Sequence, residues 1–129
     1  LFDGFTEDDI GYIGGESLIA ETNGLGGFAQ AAAFALQSYN GGTVEAMIEN
    51  TLRMYQITVG EHPDFRIPYL AYRGTPTAID AEKVVATGVT PVIDMGLAHR
   101  QGGQTGAGIM HAPLTCFEQA VAALQAAGA

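Results

Sequence analysis

Two glycine-rich segments of this chain combine a permissive backbone with polar side chains, as an anion-binding site requires. The first, residues 21–27, reads ETNGLGG and runs directly into an alanine-rich stretch. The second, residues 102–108, reads GGQTGAG and follows His99 and Arg100. Glycine lets a backbone approach a ligand closely, and successive free N–H groups at a helix start bind phosphate or carboxylate. The pattern predicts a site for a small anion.

Side chains in and beside these segments could supply the chemistry of such a site. Arg100 can clamp a carboxylate or phosphate, and His99 can donate to a carbonyl oxygen or move a proton, so we predict that both are catalytic. Gln104 can both donate to and accept from an amide or urea-like group. The predicted substrate-binding residues are Thr22, Asn23, Gly24, Gly26, Gly27, Asp94, Gly103, Gln104 and Gly106.

Each of these features also has a purely structural interpretation. The glycines can allow close helix packing, His99 can hydrogen-bond its own loop, and Arg100 can pair with an acid such as Asp94. Residues 21–27 lack the G-x-G-x-x-G spacing and the P-loop Gly-Lys-Ser/Thr of nucleotide-binding loops. The three histidines show no zinc-binding spacing. We therefore predict neither a metal nor a cofactor.

The composition excludes some classes of function. Fourteen acidic residues face five basic ones, a net charge of -9, so the chain lacks the basic face of a nucleic-acid binder. Only 15% of residues are charged, against about 25% in ordinary domains, which predicts that other subunits cover part of the surface. No apolar run approaches the about 20 residues of a membrane span, and a single cysteine, Cys116, fits a reducing compartment. We expect a cytoplasmic protein without membrane insertion.

The elements that must position these residues follow from apolar periodicity and from capping signals. The pattern predicts helices over 28–39, 43–55, 80–86 and 114–127, strands over 18–20 and 90–97, and a loop over 99–108. Alternating helices and strands predict an α/β fold with a short, partly parallel sheet flanked by apolar helices. The first residues are typical of a strand interior, so we expect part of a larger protein. Residues 1–129 would form a single domain or the C-terminal fragment of a longer chain.

Several segments resemble the C-terminal part of the AllG/YlbE-type proteins. They are residues 21–27, 84–93 (VVATGVTPVI), 96–100 (GLAHR), 103–108 (GQTGAG) and 112–120 (APLTCFEQA). This bacterial family includes a subunit of oxamate carbamoyltransferase. The resemblance implies transfer of a carbamoyl group between oxalurate and phosphate, both small anions, in a hetero- or homo-oligomer with other subunits. It identifies no catalytic residue, so the site residues named above rest on their chemistry alone.

Two functions of other classes stay open beside the carbamoyltransferase. The chain can be a non-catalytic assembly domain, whose glycines allow tight subunit packing while a partner carries the chemistry. It can also be an acyl-CoA or nucleotide-binding module of a multisubunit enzyme. Ligand stabilisation separates the three functions. Small anions would stabilise a carbamoyltransferase, CoA or ATP would stabilise a binding module, and none of these ligands would stabilise an assembly domain.

Overall fold

The computed structural model describes residues 1–14 and 18–128 as two small sheets with helices packed around them. The strands are β1 (Ile10–Gly14), β2 (Thr58–Ile67), β3 (Arg73–Ile79), β4 (Val92–His99) and β5 (Gln104–His111). The α-helices are α1 (Leu18–Thr22), α2 (Gln37–Asn40), α3 (Val44–Met54), α4 (Ala81–Thr87) and α5 (Leu114–Ala126). Short 3-10 helices span Glu7–Asp9, Gly26–Ala32, Phe34–Leu36 and Pro68–Leu70. Within the described part of the chain, no helix has the length and apolarity that a bilayer crossing needs.

The mixture of helix and strand confirms the α/β class, but the expected partly parallel pairing is wrong. In one sheet β4 lies between β1 and β5, and in the other β2 pairs with β3; all three pairings are antiparallel. For β4 and β5 the cause is the short connection between them. Gly102 and Gly103 turn the chain with φ of 101° and 86°, so β5 folds straight back on β4. Strands joined by a turn this tight can only run antiparallel.

This hairpin also corrects the predicted loop over 99–108. Only residues 100–103 form the turn, and from Gln104 the chain is strand. The glycines at 106 and 108 are therefore strand residues, where the chain pairs with Leu97 and Met95 of β4.

Two further predicted elements are wrong, because contacts distant in sequence override the local pattern. The single helix over 28–39 is instead two 3-10 helices and the four-residue α2, interrupted at Ala33 with φ -143° and ψ 54°. The N–H of Ala31 donates to Thr51 Oγ1 at 3.0 Å, a tertiary partner in place of a helical carbonyl. The predicted strand over 18–20 is part of α1, followed by Gly24 with φ 81°, a conformation that ends helices.

The hydrophobic core anchors the start of β4. Its buried members are Phe28, Met54, Ile57, Val84 and Val92, with Leu114 and Phe117 of α5 packed against them. Burial of this cluster is the main favourable term holding α3, α4 and α5 to β4. Val92 anchors the start of β4 in the core, and Asp94 follows two residues later on the same strand.

The caps of α4 confirm the sequence prediction and offer a stability test. Asp80 Oδ1 accepts hydrogen bonds from the N–H groups of Glu82 and Lys83 at 3.0 and 3.1 Å, and Gly88 ends the helix with φ 68°. Asp80→Ala removes the acceptor and is expected to lower the free energy of unfolding by about 1 kcal/mol, measured by urea denaturation. Glu82→Ala, an exposed change in the same turn, is the control and should cost less than about 0.5 kcal/mol. Equal midpoints for the two variants would contradict the cap.

Candidate functional site

A cleft of about 560 Å³ opens where α2, β1 and the β4–β5 hairpin meet. Its polar side chains come from Tyr12, Tyr39, Asn40, Asp94 and Gln104, and the strand from Met95 to Ala98 forms part of its wall. Of the substrate-binding residues predicted from sequence, Asp94, Gly103 and Gln104 line this cleft. The structure thus brings together residues from one end of α2 and from three strands, β1, β4 and β5.

Asp94 is held in the cleft by amide side chains. Its Oδ1 accepts a hydrogen bond from Gln30 Nε2 at 2.7 Å, and Asn40 lines the cleft beside it. Gln30 is in turn fixed, because its Oε1 accepts from Asn50 Nδ2 at 3.0 Å. A partly buried carboxyl group with fixed partners can present a defined oxygen to a ligand.

Gln104, which also lines the cleft, is fixed by two hydrogen bonds. Its Oε1 accepts from the Tyr39 hydroxyl at 2.7 Å, and its Nε2 donates to the Gly106 carbonyl at 2.8 Å. A glycine at position 96 leaves room for this side chain, since a Cβ there would lie 2.9 Å from Nε2. An amide has two donor hydrogens and two acceptor lone pairs, so Gln104 keeps capacity for a ligand.

Glu21 lies behind the cleft and is 2% exposed. Its Oε1 accepts from the N–H of Gly27 at 3.1 Å and from the N–H of Asp94 at 3.2 Å. Burial raises the pKa of Glu21, and the charge of Asp94 adds to the rise, while the hydrogen bonds it accepts oppose it. Burial also raises the pKa of Asp94, opposed by the hydrogen bond from Gln30 and by the side chain of Asn40. Two carboxyl groups thus hold their protons more tightly than exposed ones.

These raised pKa values predict a pH dependence of stability. Above about pH 4 the folded chain retains protons on Glu21 and Asp94 that the unfolded chain releases, so the contribution of these two groups to the free energy of unfolding falls as pH rises. Glu21→Gln removes one of these groups and is expected to make the decline between about pH 4 and 7 shallower. Urea denaturation over this pH range measures it, with Glu118→Gln on exposed α5 as control. Parallel pH profiles for wild type and Glu21→Gln would contradict the burial of a titrating carboxyl group.

The first part of the glycine-rich segment packs against the rest of the protein. The Thr22 carbonyl accepts from Thr77 Oγ1 at 2.9 Å, and the N–H of Asn23 donates to carbonyls within α1. Gly24 is buried, and a Cβ there would overlap Thr75 Oγ1. These three residues are not among the described residues that line the cleft.

Gly26 and Gly27 make room for buried groups of the protein. At Gly26, whose φ is 58°, a Cβ would lie 2.5 Å from Glu21 Oε1. At Gly27, a Cβ would overlap the Val92 carbonyl oxygen. The Gly27 N–H already donates to the buried Glu21 carboxyl group, and Gly27 is not among the described residues that line the cleft.

His99 and Arg100 lie where the hairpin turn meets β1. His99 Nδ1 accepts from the Gln101 N–H at 3.0 Å, and its Nε2 faces Asp9 Oδ1 at 3.8 Å. Arg100 Nε donates to the Ile10 carbonyl at 3.0 Å. Neither residue is among the described residues that line the cleft, so their predicted catalytic roles stay predictions.

The charge of the cleft indicates what it can bind. Among the described residues that line it, one carboxyl group stands with neutral amides, phenols and backbone, and none is cationic. Such a surface suits the N–H groups and carbonyl of an amide or ureido group better than a phosphate dianion. The described residues show no cluster of three His, Cys, Asp or Glu side chains that could hold a metal ion.

The sequence did not predict several residues of the site, among them Tyr12, Gln30, Tyr39, Asn40 and Glu21. Tyr39 and Asn40 were assigned to the end of a helix, although a polar residue before Gly41 and Gly42 is a signal for a loop near a ligand. Glu21 is the first residue of the segment 21–27. Its only sequence signal is its position between an apolar run and the glycines.

Comparison with known proteins places the chain among bacterial relatives of which it spans only part. It is 45% identical over 123 residues to the uncharacterized protein YahG of Escherichia coli K12, covering 94% of this chain and 26% of YahG. It is 39% identical over 127 residues to the oxamate carbamoyltransferase subunit AllG of the same organism, covering 96% of this chain and 30% of AllG. No protein-family model matches.

One solved structure shares the fold. A crystal structure of a conserved protein of unknown function from Enterococcus faecalis V583 matches with a TM-score of 0.89 and 43% identity. The match covers 97% of this chain and 30% of that one. The chain therefore corresponds to less than a third of the length of these relatives.

Proposed function

We propose that this chain is part of a carbamoyltransferase-like enzyme and that its cleft binds the amide or ureido end of a small substrate such as oxamate or oxalurate. The observation that carries the proposal is that Asp94 and Gln104 line the same cleft and that each is held by another side chain. The 39% identity to the oxamate carbamoyltransferase subunit AllG supports it.

The chemistry of carbamoyl transfer fits these groups. When phosphate attacks the ureido carbon of oxalurate, a C–O bond forms, the C–N bond breaks, and the departing amide nitrogen needs a proton. Asp94 can supply that proton because burial raises the pKa of its carboxyl group, and in the reverse direction its carboxylate takes the proton back. The amides of Gln104 and Asn40 can donate to the oxygen that becomes negative.

His99 and Arg100 complete the proposal as the residues that handle the anionic part of the reaction. Arg100 is exposed in the same turn as Gly103, which lines the cleft. A guanidinium group in this turn can bind a carboxylate or phosphate. His99→Ala and Arg100→Ala should each lower turnover of the assembled enzyme. Wild-type turnover in both variants would remove these two residues from the proposal and leave the cleft unaffected.

A thermal-shift panel tests the function against the other two classes. The protein, with every polypeptide that co-purifies with it, is heated with oxamate, carbamoyl phosphate, phosphate, CoA or ATP. Stabilisation by oxamate or carbamoyl phosphate is expected, since a ligand that binds only the folded state raises the melting temperature. Stabilisation by CoA or ATP alone would favour a nucleotide-binding module, and indifference to all five would favour an assembly domain.

Gln104→Ala gives a residue-level test. The change removes a donor and an acceptor from the cleft and is expected to weaken oxamate binding about tenfold, measured by isothermal titration. Gln101→Ala is the matched control, because Gln101 is an exposed glutamine in the adjacent turn. Equal affinities in the two variants would contradict a binding role for Gln104.

An assembly role has its own support and is compatible with catalysis. Tyr12, Ile13 and Ile19 are 68%, 61% and 78% exposed, and the first two lie on β1, which borders the cleft. Because successive strand residues point to opposite faces, Tyr12 and Ile13 expose apolar surface on both faces of β1, which favours contact with other subunits. A partner subunit that covers them would also close one side of the cleft.

A further inference from the structure

We propose that Glu21 is a positioning residue that holds Asp94 in the cleft, and that Gly26 is a glycine so that this carboxyl group can be seated. The inference rests on the proposed function of the cleft. It assigns a role to a buried side chain that takes no part in the chemistry described above.

One oxygen atom of Glu21 connects two elements. Its Oε1 accepts from the N–H of Gly27, at the start of a 3-10 helix, and from the N–H of Asp94, on β4. Among the described residues, β1 pairs with β4 only from Gly96 to His99, so the N–H of Asp94 lies past the end of that pairing. At this position Glu21 Oε1 accepts the hydrogen bond that a carbonyl of a neighbouring strand would otherwise accept.

This contact fixes the direction in which the Asp94 side chain leaves the strand. Gln30 Nε2 holds Asp94 Oδ1 from the side-chain end, and Glu21 holds the same residue by its backbone. Because Asp94 is held by both its backbone and its side chain, its carboxyl group is oriented for one ligand geometry, which lowers the entropy cost of binding.

The second oxygen of Glu21 indicates that packing alone does not account for this residue. Oε2 is buried and has no hydrogen-bond partner among the described residues. An unpartnered buried oxygen costs free energy, which an apolar side chain of similar size would avoid. Burial and the charge of Asp94 raise the pKa of Glu21, which reduces that cost by favouring the neutral form.

The glycines around Glu21 complete the arrangement. A side chain at position 26 would collide with Oε1, which lies 2.5 Å from the position of a Cβ. The segment 21–27 therefore contains both the acid and the space that receives it, and the group that this loop binds in the structure is the protein's own carboxyl group.

Four variants test the inference by their affinity for oxamate, measured by isothermal titration on the protein with its co-purifying subunits. Glu21→Leu removes the acceptor and is expected to weaken binding about tenfold. Glu21→Gln keeps an oxygen for both N–H groups and should stay within about threefold of wild type. Glu21→Asp keeps a carboxyl group on a shorter side chain, so its oxygens no longer reach the two N–H groups and its affinity for oxamate should be close to that of Glu21→Leu. If Glu21→Leu does not fold, Glu21→Asp takes its place in the test. In the Asp94→Asn background, Glu21→Leu should add no more than about twofold, because it acts through Asp94.

The outcomes separate this inference from the function on which it rests. Wild-type affinity in Glu21→Leu or Glu21→Asp, together with weakened binding in Asp94→Asn, would overturn the positioning role and leave the cleft as the binding site. Losses that multiply in the double variant would also overturn it, since they would show a general structural effect. If wild type does not bind oxamate, or Asp94→Asn binds as well as wild type, the proposed function fails and the positioning role fails with it.

Discussion

Gly27→Ala is expected to be strongly destabilising, lowering the free energy of unfolding by about 3 kcal/mol or more. A Cβ at this position would overlap the Val92 carbonyl oxygen and lie 2.7 Å from the Val92 carbonyl carbon. Val92 is 1% exposed and belongs both to the hydrophobic core and to β4. Backbone atoms held in this way cannot move aside as a flexible side chain would.

Urea denaturation, followed by circular dichroism, measures this effect. Gly108→Ala is the matched control, because Gly108 lies in β5 with nothing within 4 Å of a Cβ and without a left-handed φ. The control should change the free energy of unfolding by no more than about 0.5 kcal/mol, or raise it slightly. A Gly27→Ala protein as stable as Gly108→Ala would contradict the close approach of the glycine segment to β4.

Asp94→Asn is expected to lower carbamoyl transfer about 100-fold or more. Asparagine is nearly the same size and its oxygen can still accept from Gln30 Nε2, so the fold should persist. It cannot donate or accept a proton at working pH, and the step that breaks the C–N bond depends on that proton. Turnover of the assembled enzyme with oxalurate and phosphate measures the loss.

Asp64→Asn provides the control for this substitution. Asp64 is exposed on β2, outside the residues that line the cleft, and its variant should keep wild-type turnover. Unfolding midpoints for both variants should lie close to wild type, which separates a chemical effect from a structural one. Wild-type turnover in Asp94→Asn would exclude proton transfer by this residue.

Sequence reasoning predicted those elements whose signals are local. The N-caps Thr43 and Asp80 lie where α3 and α4 begin, and the glycine at 88 ends α4. These signals depend on residues within one turn of each other, so no knowledge of distant contacts is needed. The strand β4 and the helix α5 were also predicted within a few residues of their observed ends.

Elements that depend on distant partners were not predicted. The stretch from Phe28 to Tyr39 has strong helical composition, yet its backbone bonds to Thr51 and its Gln30 side chain to Asp94. Such tertiary hydrogen bonds outweigh propensities of a few tenths of a kcal/mol per residue. The pairing of strands by tight turns was missed for a related reason, since glycines that turn a hairpin and glycines that cradle an anion look alike in sequence.

For the site, the sequence indicated some members and not their neighbours. Asp94, Gly103 and Gln104 were predicted to bind substrate, and the structure places them in one cleft. Their partners come from far along the chain, because the Tyr39–Gln104 bond joins residues 65 positions apart. Hydrogen bonds of this kind leave no periodic or capping pattern in a single sequence.

The central claim is that the cleft holding Asp94 and Gln104 binds the amide end of a small substrate. A crystal structure of the protein with its co-purifying subunits, grown with saturating oxamate, tests it most directly. We expect oxamate to bind in this cleft, with its amide nitrogen within about 3.2 Å of an Asp94 carboxylate oxygen. Oxamate bound elsewhere, at Arg100 or at residues 24–27 for example, with the cleft filled only by water, would contradict it.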